Sequence, residues 1–122
     1  MATPGQGEPT TKRVLGRGGL RIEVDARTDE GGAVVHLFGE LDMEATEVLG
    51  TELEELVAGP APSVLVHLTG LEFIDSTGLQ CLLRATQHSR ENGDKLRFRH
   101  GSPQVEGVMR LTKVADLLPF AD

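Results

Sequence analysis

Aromatic residues and cysteine are scarce in this sequence. Its 122 residues include no tryptophan, no tyrosine and four phenylalanines, so a platform of rings on which nucleic-acid bases stack would be hard to build. A single cysteine, Cys81, excludes an internal disulfide and a cysteine-based zinc cluster. The four histidines have no ligand-type spacing, and we therefore predict that the protein binds no metal and no cofactor.

Long apolar runs are also missing. No stretch approaches the roughly 20 apolar residues that a membrane-spanning helix needs, and the N-terminus lacks the apolar block of a secretory signal. A chain of this length, with 39% hydrophobic and 25% charged residues, suits one domain built around one core. We expect a cytoplasmic protein without a membrane partner.

Positive charge is absent from the middle of the chain. No lysine or arginine lies between Arg27 and Arg84. The same segment contains the acidic residues Asp29, Glu30, Glu40, Asp42, Glu44, Glu47, Glu52, Glu54, Glu55, Glu72 and Asp75. The net charge of −7 is unevenly divided, because residues 1–21 are basic. An acidic segment repels phosphate groups, so we predict no direct contact with nucleic acid and favour a basic protein partner.

The N-terminal segment differs in composition from the remainder. Residues 1–19 are rich in glycine, proline and basic residues without apolar periodicity, so we expect a mobile tail that is dispensable for folding. Its Gly16–Gly19 stretch lacks the preceding strand and the lysine of a phosphate-binding loop. The domain itself is predicted to span residues 20–122.

Hydrophobic periodicity predicts alternating strands and helices within that domain. Strands are expected at 20–27, 33–38, 63–68 and 95–99, and helices at 43–58, at 76–91 and from 102 onward. Residues 114–120 add a short apolar piece. The order predicts an α/β fold in which the first two strands pair as a hairpin and the later strands are parallel.

The most informative segment runs from Val64 to Leu79, where a buried strand leads through a short loop into a helix that begins near Ser76. A helix start has unpaired N–H groups and the positive end of the helix dipole, so it suits a hydroxyl, a carboxylate or a phosphate. One interpretation is structural, with Asp75 or Ser76 as the helix cap. The other is that Ser76 is a modified or catalytic serine.

Catalytic motifs fit this segment poorly. The aspartic-protease signature has glycine directly after its Asp-Ser or Asp-Thr pair, whereas Thr77 intervenes here. A nucleophile elbow has glycine two residues before the serine, where this chain has Ile74. A serine hydrolase is an alternative function, but the predicted elements place no histidine as its base. We predict that the protein has no catalytic residue.

Two separated motifs resemble one known family. The first is Gly39-Glu40-Leu41-Asp42 at the end of a strand, and the second is Asp75-Ser76-Thr77-Gly78-Leu79 after an apolar strand. Together they resemble the STAS domain, specifically the bacterial anti-sigma factor antagonists. The resemblance covers most of the predicted domain. It implies a small layer fold with a mixed four-stranded central sheet and helices packed mainly on one face.

The resemblance also implies a regulatory switch. An antagonist of this family binds an anti-sigma factor that is also a serine kinase, and so frees the sigma factor. Ser76 matches the phosphoacceptor, and a PP2C-type phosphatase would reverse its phosphorylation. ATP then belongs to the partner, and the protein is expected not to be an enzyme. Two departures from the family pattern are His67, where many relatives have aspartate, and Thr77, where serine is commoner.

Both motifs lie at predicted strand ends, so we expect them to share one end of the sheet and to form the partner-binding surface. The residues predicted to contact the partner are Gly39, Glu40, Asp42, Asp75, Ser76, Thr77, Gly78 and Leu79. A scaffold component of a stressosome-like complex is the alternative function within the same family.

Overall fold

One mixed sheet organises the chain. The computed structural model describes residues 12–26 and 31–121. The strands are β1 (Lys12–Arg17), β2 (Leu20–Asp25), β3 (Ala33–Leu41), β4 (Val64–Ile74) and β5 (Leu96–Arg99). The helices are α1 (Thr46–Ala58), α2 (Ser76–Arg90) and α3 (Pro103–Leu111), followed by a short 3₁₀ helix at Val114–Leu117.

The strands lie in the sheet in the order in which they occur along the chain. β1, β2 and β3 pair antiparallel, whereas β3, β4 and β5 pair in parallel. Parallel neighbours need crossover connections, which α1 and α2 supply. The predicted α/β class, the β2–β3 hairpin and the parallel later strands are therefore confirmed. The predicted count of four strands is wrong, because β1 adds a fifth.

β1 lies in the segment for which the sequence predicts a mobile tail. Arg13 pairs with Val24 in the sheet register and so shares the face on which the helices pack. Its guanidinium donates two hydrogen bonds to the Glu52 carboxylate on α1, with Nη1 3.1 Å from Oε1. Because this contact ties β1 to a helix, the tail prediction is wrong for residues 12–17. Residues 1–11 lie outside the described part of the chain.

A tight turn joins β1 to β2. Gly18 has φ of +61°, a left-handed conformation that glycine adopts without steric cost. The Gly16–Gly19 stretch therefore contains a hairpin turn and is not a phosphate-binding loop. The connection between β2 and β3 lies partly outside the described residues, since the structure resumes at residue 31.

The apolar core lies between the sheet and the helices. Alternate residues of β2, β3 and β4 are buried, and the residues between them are more exposed, which is the pattern of a sheet covered on one face. The largest fully buried side chains include Phe98, Ile22, Leu37, Leu41, Leu49, Leu53, Leu68 and Leu82. We call the opposite side of the sheet the open face. Among the described residues, no helix is long and apolar enough to span a membrane.

β4 is longer than predicted, because it continues through residues 69–74 where a loop was expected. The β3–β4 register shifts twice in this region, which breaks the period-2 alternation. Gly70 permits the close approach, since a Cβ there would lie 2.5 Å from the Leu37 carbonyl oxygen. α1 is shorter than predicted at its start, because residues 42–45 form a turn in which the Ala45 N–H donates to the Asp42 carbonyl oxygen at 3.0 Å.

Candidate functional site

The two sequence motifs meet at the carboxyl ends of β3 and β4. Leu41, the last residue of β3, pairs with Ile74, the last residue of β4. The Asp75 N–H then donates to the Leu41 carbonyl oxygen at 3.2 Å. One strand leads into the 42–45 turn and the other leads directly into α2. Residues 39–42 and 75–79 therefore adjoin at one end of the sheet.

Asp75 is the cap of α2. Its carboxylate accepts hydrogen bonds from the Gly78 N–H at 2.9 Å and from the Thr77 hydroxyl at 2.6 Å. Partial burial alone would raise the pKa of Asp75, but the hydrogen bonds from Thr77 and from the backbone of Gly78 and Met43 outweigh it and hold the pKa below its usual value. Of the two caps that the sequence allowed, Asp75 is the one used.

Ser76 occupies the first position of α2 and is exposed. No hydrogen bond to its hydroxyl is found among residues 12–26 and 31–121, since Asp75 already satisfies the capping role. The neighbouring N–H groups of the first helical turn carry the positive end of the helix dipole. The hydroxyl is thus accessible from solvent and lies where an added negative charge is favoured.

Thr77 is a poorer acceptor site than Ser76. Its hydroxyl is only partly exposed and donates to the Asp75 carboxylate. A group attached to that oxygen would break this hydrogen bond and weaken the cap. The geometry therefore separates two adjacent hydroxyls, one engaged in structure and one available for chemistry.

Gly78 and Leu79 pack the start of α2 against the end of β3 and the core. A Cβ on Gly78 would lie 2.6 Å from the Leu41 carbonyl oxygen, so glycine lets the start of α2 sit directly against the end of β3. Leu79 is 4% exposed and belongs to the core. The structure thus places the Leu79 side chain away from any partner, contrary to its inclusion in the predicted contact set.

The first motif also combines a residue with a backbone role, Gly39, and residues with accessible side chains, Glu40 and Asp42. Gly39 has φ of +96°, and a Cβ there would overlap the Gly19 carbonyl oxygen, so this glycine permits the close pairing of β2 and β3. Glu40 is exposed, and the Asp42 carboxylate accepts the Glu44 N–H at 3.1 Å. Asp42 therefore presents negative charge in the turn that adjoins the start of α2, whereas the Glu40 carboxylate lies next to Gly19 in the β1–β2 turn.

Sequence reasoning missed two exposed apolar side chains near this site. Met43, directly after the first motif, is 73% exposed, and Phe73, two residues before Asp75, is 49% exposed. Phe73 pairs with Glu40 in the β3–β4 register. The available signal was a large apolar residue next to each motif, Met43 at the start of a predicted helix and Phe73 in the predicted loop. Such side chains are typical anchors of protein interfaces.

Cys81 is close in sequence to the site but unsuited to nucleophilic chemistry. It is buried between α1 and α2, and its thiol lies 3.6 Å from the Thr46 carbonyl oxygen. Burial raises the pKa of Cys81 to about 11, with smaller effects from Arg84 and Glu54. The thiol is therefore protonated near neutral pH and packs as a small apolar side chain.

Comparisons with known proteins point to one family. Residues 24–119 match the family described as "Mlab, STAS domain". The anti-sigma-B factor antagonist of Bacillus subtilis (strain 168) is 24% identical to this chain over 102 residues, which is 84% of this chain and 93% of that relative.

Solved structures share the fold. The crystal structure of an anti-sigma factor antagonist from Mycobacterium paratuberculosis has a TM-score of 0.69 at 22% identity, covering 92% of this chain and 86% of the other. The phosphorylated form of the Bacillus cell fate determinant SpoIIAA has a TM-score of 0.59 at 18% identity and covers 91% of both chains. The mixed sheet with helices on one face is common to these proteins.

Proposed function

Since the chain belongs to the STAS-domain family, we propose that it is an anti-sigma factor antagonist. It binds an anti-sigma factor that is also a serine kinase, and the bound sigma factor is released. The kinase phosphorylates Ser76 with its own ATP, which ends the binding. A PP2C-type phosphatase removes the phosphate and restores the active form.

We assign the partner contacts to a switch surface at the carboxyl ends of β3 and β4. It consists of Glu40, Asp42, Met43, Phe73, Ser76 and Thr77, all at least partly exposed. The carboxylates favour a basic partner surface. Met43 and Phe73 supply apolar contact area beside them. Asp75, Gly78 and Gly39 keep this surface in shape and do not need to touch the partner.

The exposed, unbonded Ser76 hydroxyl beside an independent cap is the observation that carries this proposal. A phosphoryl group can be added there without breaking the hydrogen bonds of Asp75. The helix dipole offsets part of the new charge in the free protein by roughly 0.3–1 kcal/mol. The phosphorylated domain is therefore expected to remain folded, and a phosphorylated form is described for the similar protein SpoIIAA.

Phosphorylation acts on binding through charge and hydration. The phosphoryl group adds about −1.5 to −2 charge at pH 7, on a surface that already carries the Asp42 carboxylate. In a closed interface the dianion loses water, at a cost of several kcal/mol unless a cation meets it. Binding is therefore expected to fall while the free domain stays intact.

Three variants of the full chain test the assignment of Ser76. The wild type is first used to capture its kinase partner, and each variant is then incubated with that partner and ATP and analysed by intact mass. We expect Ser76→Ala to bind as the wild type does but to gain no phosphoryl group. We expect Ser76→Asp to bind at least about tenfold more weakly, which corresponds to about 1.4 kcal/mol.

Thr77→Ala is the matched control, because it removes the neighbouring hydroxyl. It should be phosphorylated as the wild type is. Since Asp75 is the cap, Ser76→Ala should change the free energy of unfolding by no more than about 0.5 kcal/mol, so lost binding could not be attributed to unfolding. Phosphorylation of Ser76→Ala, together with its loss in Thr77→Ala, would transfer the switch to Thr77.

A further inference from the structure

The open face of the sheet carries four basic or titratable side chains close together. His36 on β3 pairs with His67 on β4, and His67 pairs with Arg99 on β5. Arg97 lies on the same side of β5, two residues earlier. All four alternate with buried core residues, so they point away from the helices. We call His36, His67, Arg97 and Arg99 the basic cluster. None of them belongs to the switch surface.

The two imidazole rings of the basic cluster are stacked on each other. The ring centroids of His36 and His67 are 4.4 Å apart, with 17° between the ring planes. Phe38 lies two residues after His36 on β3, and the two ring centroids are 6.3 Å apart. The Arg21 guanidinium lies over the Phe38 ring, 4.5 Å from its centroid. Each of the two imidazoles uses one face in this stack, and the N–H groups at the ring edges are the hydrogen-bond donors that a ligand would meet.

This part of the open face lacks carboxylates, although the protein has a net charge of −7. Over the regular stretch of the last three strands, the described residues that point to this side are Val34, His36, Phe38, Leu65, His67, Thr69, Arg97 and Arg99. The exposed glutamates of α1, by contrast, belong to the helical side. Basic side chains thus predominate on this part of the open face, although the helical side also carries exposed arginines, Arg84 and Arg90 among them.

Charged groups around the cluster leave its positive character in place. Glu23 on β2 faces His36 in the register, but its carboxylate is 3.1 Å from Arg21 Nε in an ion pair. Asp94 is 3.5 Å from Arg97 Nη1 at an exposed position, where an ion pair is weak. Lys12 and Asp25 are partners in the β1–β2 register, and Asp25 and Arg99 each interact with a neighbouring group of their own.

We propose that the basic cluster is a docking site for an acidic protein segment. Carboxylates of that segment accept hydrogen bonds from the imidazole edges and from the arginine side chains, as charge complementarity requires. A short acidic segment suits this site better than a nucleic acid, because the chain has no tryptophan or tyrosine for base stacking and the rest of the molecule repels a long polyanion. The proposal is independent of the function assigned to Ser76.

Binding at this site is coupled to proton uptake. Burial, followed by the positive charges of His36 and Arg99, lowers the pKa of His67 in the free protein. A carboxylate beside the ring favours the imidazolium form and opposes that effect. An acidic segment should therefore bind more tightly as the pH falls from about 8 to about 6. Among the described residues, the charged groups on or beside this face include Glu23, Arg21, Arg97, Asp25, Lys12 and Asp94.

The test uses a short fluorescent oligoglutamate peptide and the full chain. Its affinity is measured by fluorescence anisotropy for the wild type, for the double variant Arg97→Gln/Arg99→Gln and for Arg84→Gln/Arg90→Gln. The last variant removes the same charge from exposed positions of α2. We expect a loss of at least about tenfold for the β5 variant and less than about twofold for the α2 variant.

A second comparison isolates the histidines. The variant His36→Gln/His67→Gln should lose the strengthening of oligoglutamate binding between about pH 8 and about pH 6, which the α2 variant should retain. Should a variant fold poorly, amide chemical shifts of the wild type identify the site directly. Peptide-induced shifts should concentrate on β3, β4 and β5.

Four results would overturn the proposal. They are the absence of oligoglutamate binding by the wild type, an equal loss in the β5 and α2 variants, shifts confined to other elements, and retention of the pH response without the two histidines. Tighter binding of a single-stranded oligouridylate at the same strands would assign the site to nucleic acid. Self-association of the wild type that disappears in the β5 variant would assign it to a second copy of the chain.

Discussion

Asp75 joins three parts of the site through one carboxylate. It caps α2 through Gly78, orders the Thr77 hydroxyl and accepts a hydrogen bond from the backbone of Met43 in the adjoining turn. Ser76 owes its freedom to this arrangement, because the capping role is taken by its neighbour. A residue outside the chemistry therefore decides which hydroxyl is available.

Replacement of that carboxylate should weaken both the helix start and the switch surface. We expect Asp75→Ala to lower the free energy of unfolding by about 0.5–2 kcal/mol, the usual cost of a lost N-cap, as measured by urea denaturation. Asp75→Asn should lose less, since asparagine also caps helices. The control Asp42→Ala, which removes an exposed carboxylate from the adjoining turn, should change stability less than Asp75→Ala does. Equal stability of Asp75→Ala and the wild type would contradict the capping role.

The sequence predicted the kinds of groups in this segment better than the role of each residue. The motif itself indicates a helix start with a hydroxyl and a carboxylate. Aspartate and serine are both good caps, so sequence cannot separate the roles of Asp75 and Ser76. Leu79 was assigned to the partner surface because it belongs to the motif, but helical geometry turns its side chain into the core.

β1 depends on a single polar contact with a helix. Glu52 is buried on α1, and its carboxylate is held by Arg13, whose own side chain is 47% exposed. The ion pair raises the pKa of Arg13, chiefly through its hydrogen bond to Glu52. The Arg13–Glu52 contact stabilises the fold because a carboxylate that is buried away from water needs a hydrogen-bond donor.

Removal of that donor should destabilise the protein. We expect Arg13→Ala to cost about 1–3 kcal/mol, because it leaves the Glu52 carboxylate buried without its partner. The double variant Arg13→Met/Glu52→Leu should recover much of the loss, since it removes the buried charge as well. Deletion of residues 1–17 should reproduce the effect of Arg13→Ala. Denaturant midpoints that do not differ between Arg13→Ala and the wild type would show that β1 contributes no stability.

Two element boundaries were missed for different physical reasons. β1 contains only Val14 and Leu15 as large apolar residues, so its pattern is indistinguishable from a polar tail. Its pairing depends on β2 and on Glu52, which lies far away in the sequence. The second half of β4 was missed because the register shifts interrupt the alternation on which strand prediction depends. Regular elements with unbroken periodicity were predicted to within a few residues.

Stability of the whole molecule should depend on pH through His67. The folded state lowers the pKa of this imidazole, mainly because burial disfavours the charged form. At a pH where His67 titrates, the unfolded chain therefore binds more protons than the folded protein does. The contribution of His67 to the free energy of unfolding is full above about pH 6.5, and it declines as the pH falls through the lower folded pKa. Asp75 adds a second decline below about pH 4, because its folded pKa is also lowered.

Urea denaturation between about pH 8 and about pH 5 checks this dependence. We expect His67→Gln to flatten the decline in the free energy of unfolding across that range. Thr69→Ala, a change on the same face and strand without a titrating group, should leave the decline as in the wild type. A decline that is unaffected by His67→Gln would assign the pH dependence to other groups.

The grouping of the basic cluster is a property of the whole fold that the sequence did not predict. His36, His67 and Arg99 are separated by about thirty residues each along the chain, and only the parallel register brings them into one row. The linear pattern showed an acidic middle segment and gave no indication of a basic area within it. Strand alternation places these three side chains on one side of the sheet and the core residues between them on the other.

The two edges of the sheet differ in their readiness to accept another strand. At β5, Phe98 pairs with the C-terminal segment through two hydrogen bonds. The Phe98 N–H donates to the Pro119 carbonyl oxygen at 3.0 Å, and the Ala121 N–H donates to the Phe98 carbonyl oxygen at 2.8 Å. At β1, no described strand covers the outer edge, but Lys12, Arg13 and Arg17 line it. Exposed strand edges are where identical chains join and start fibrils, and lysine or arginine at such edges opposes that growth. The basic character of β1 therefore protects concentrated protein from aggregation, and this protection weakens as added salt screens the charges.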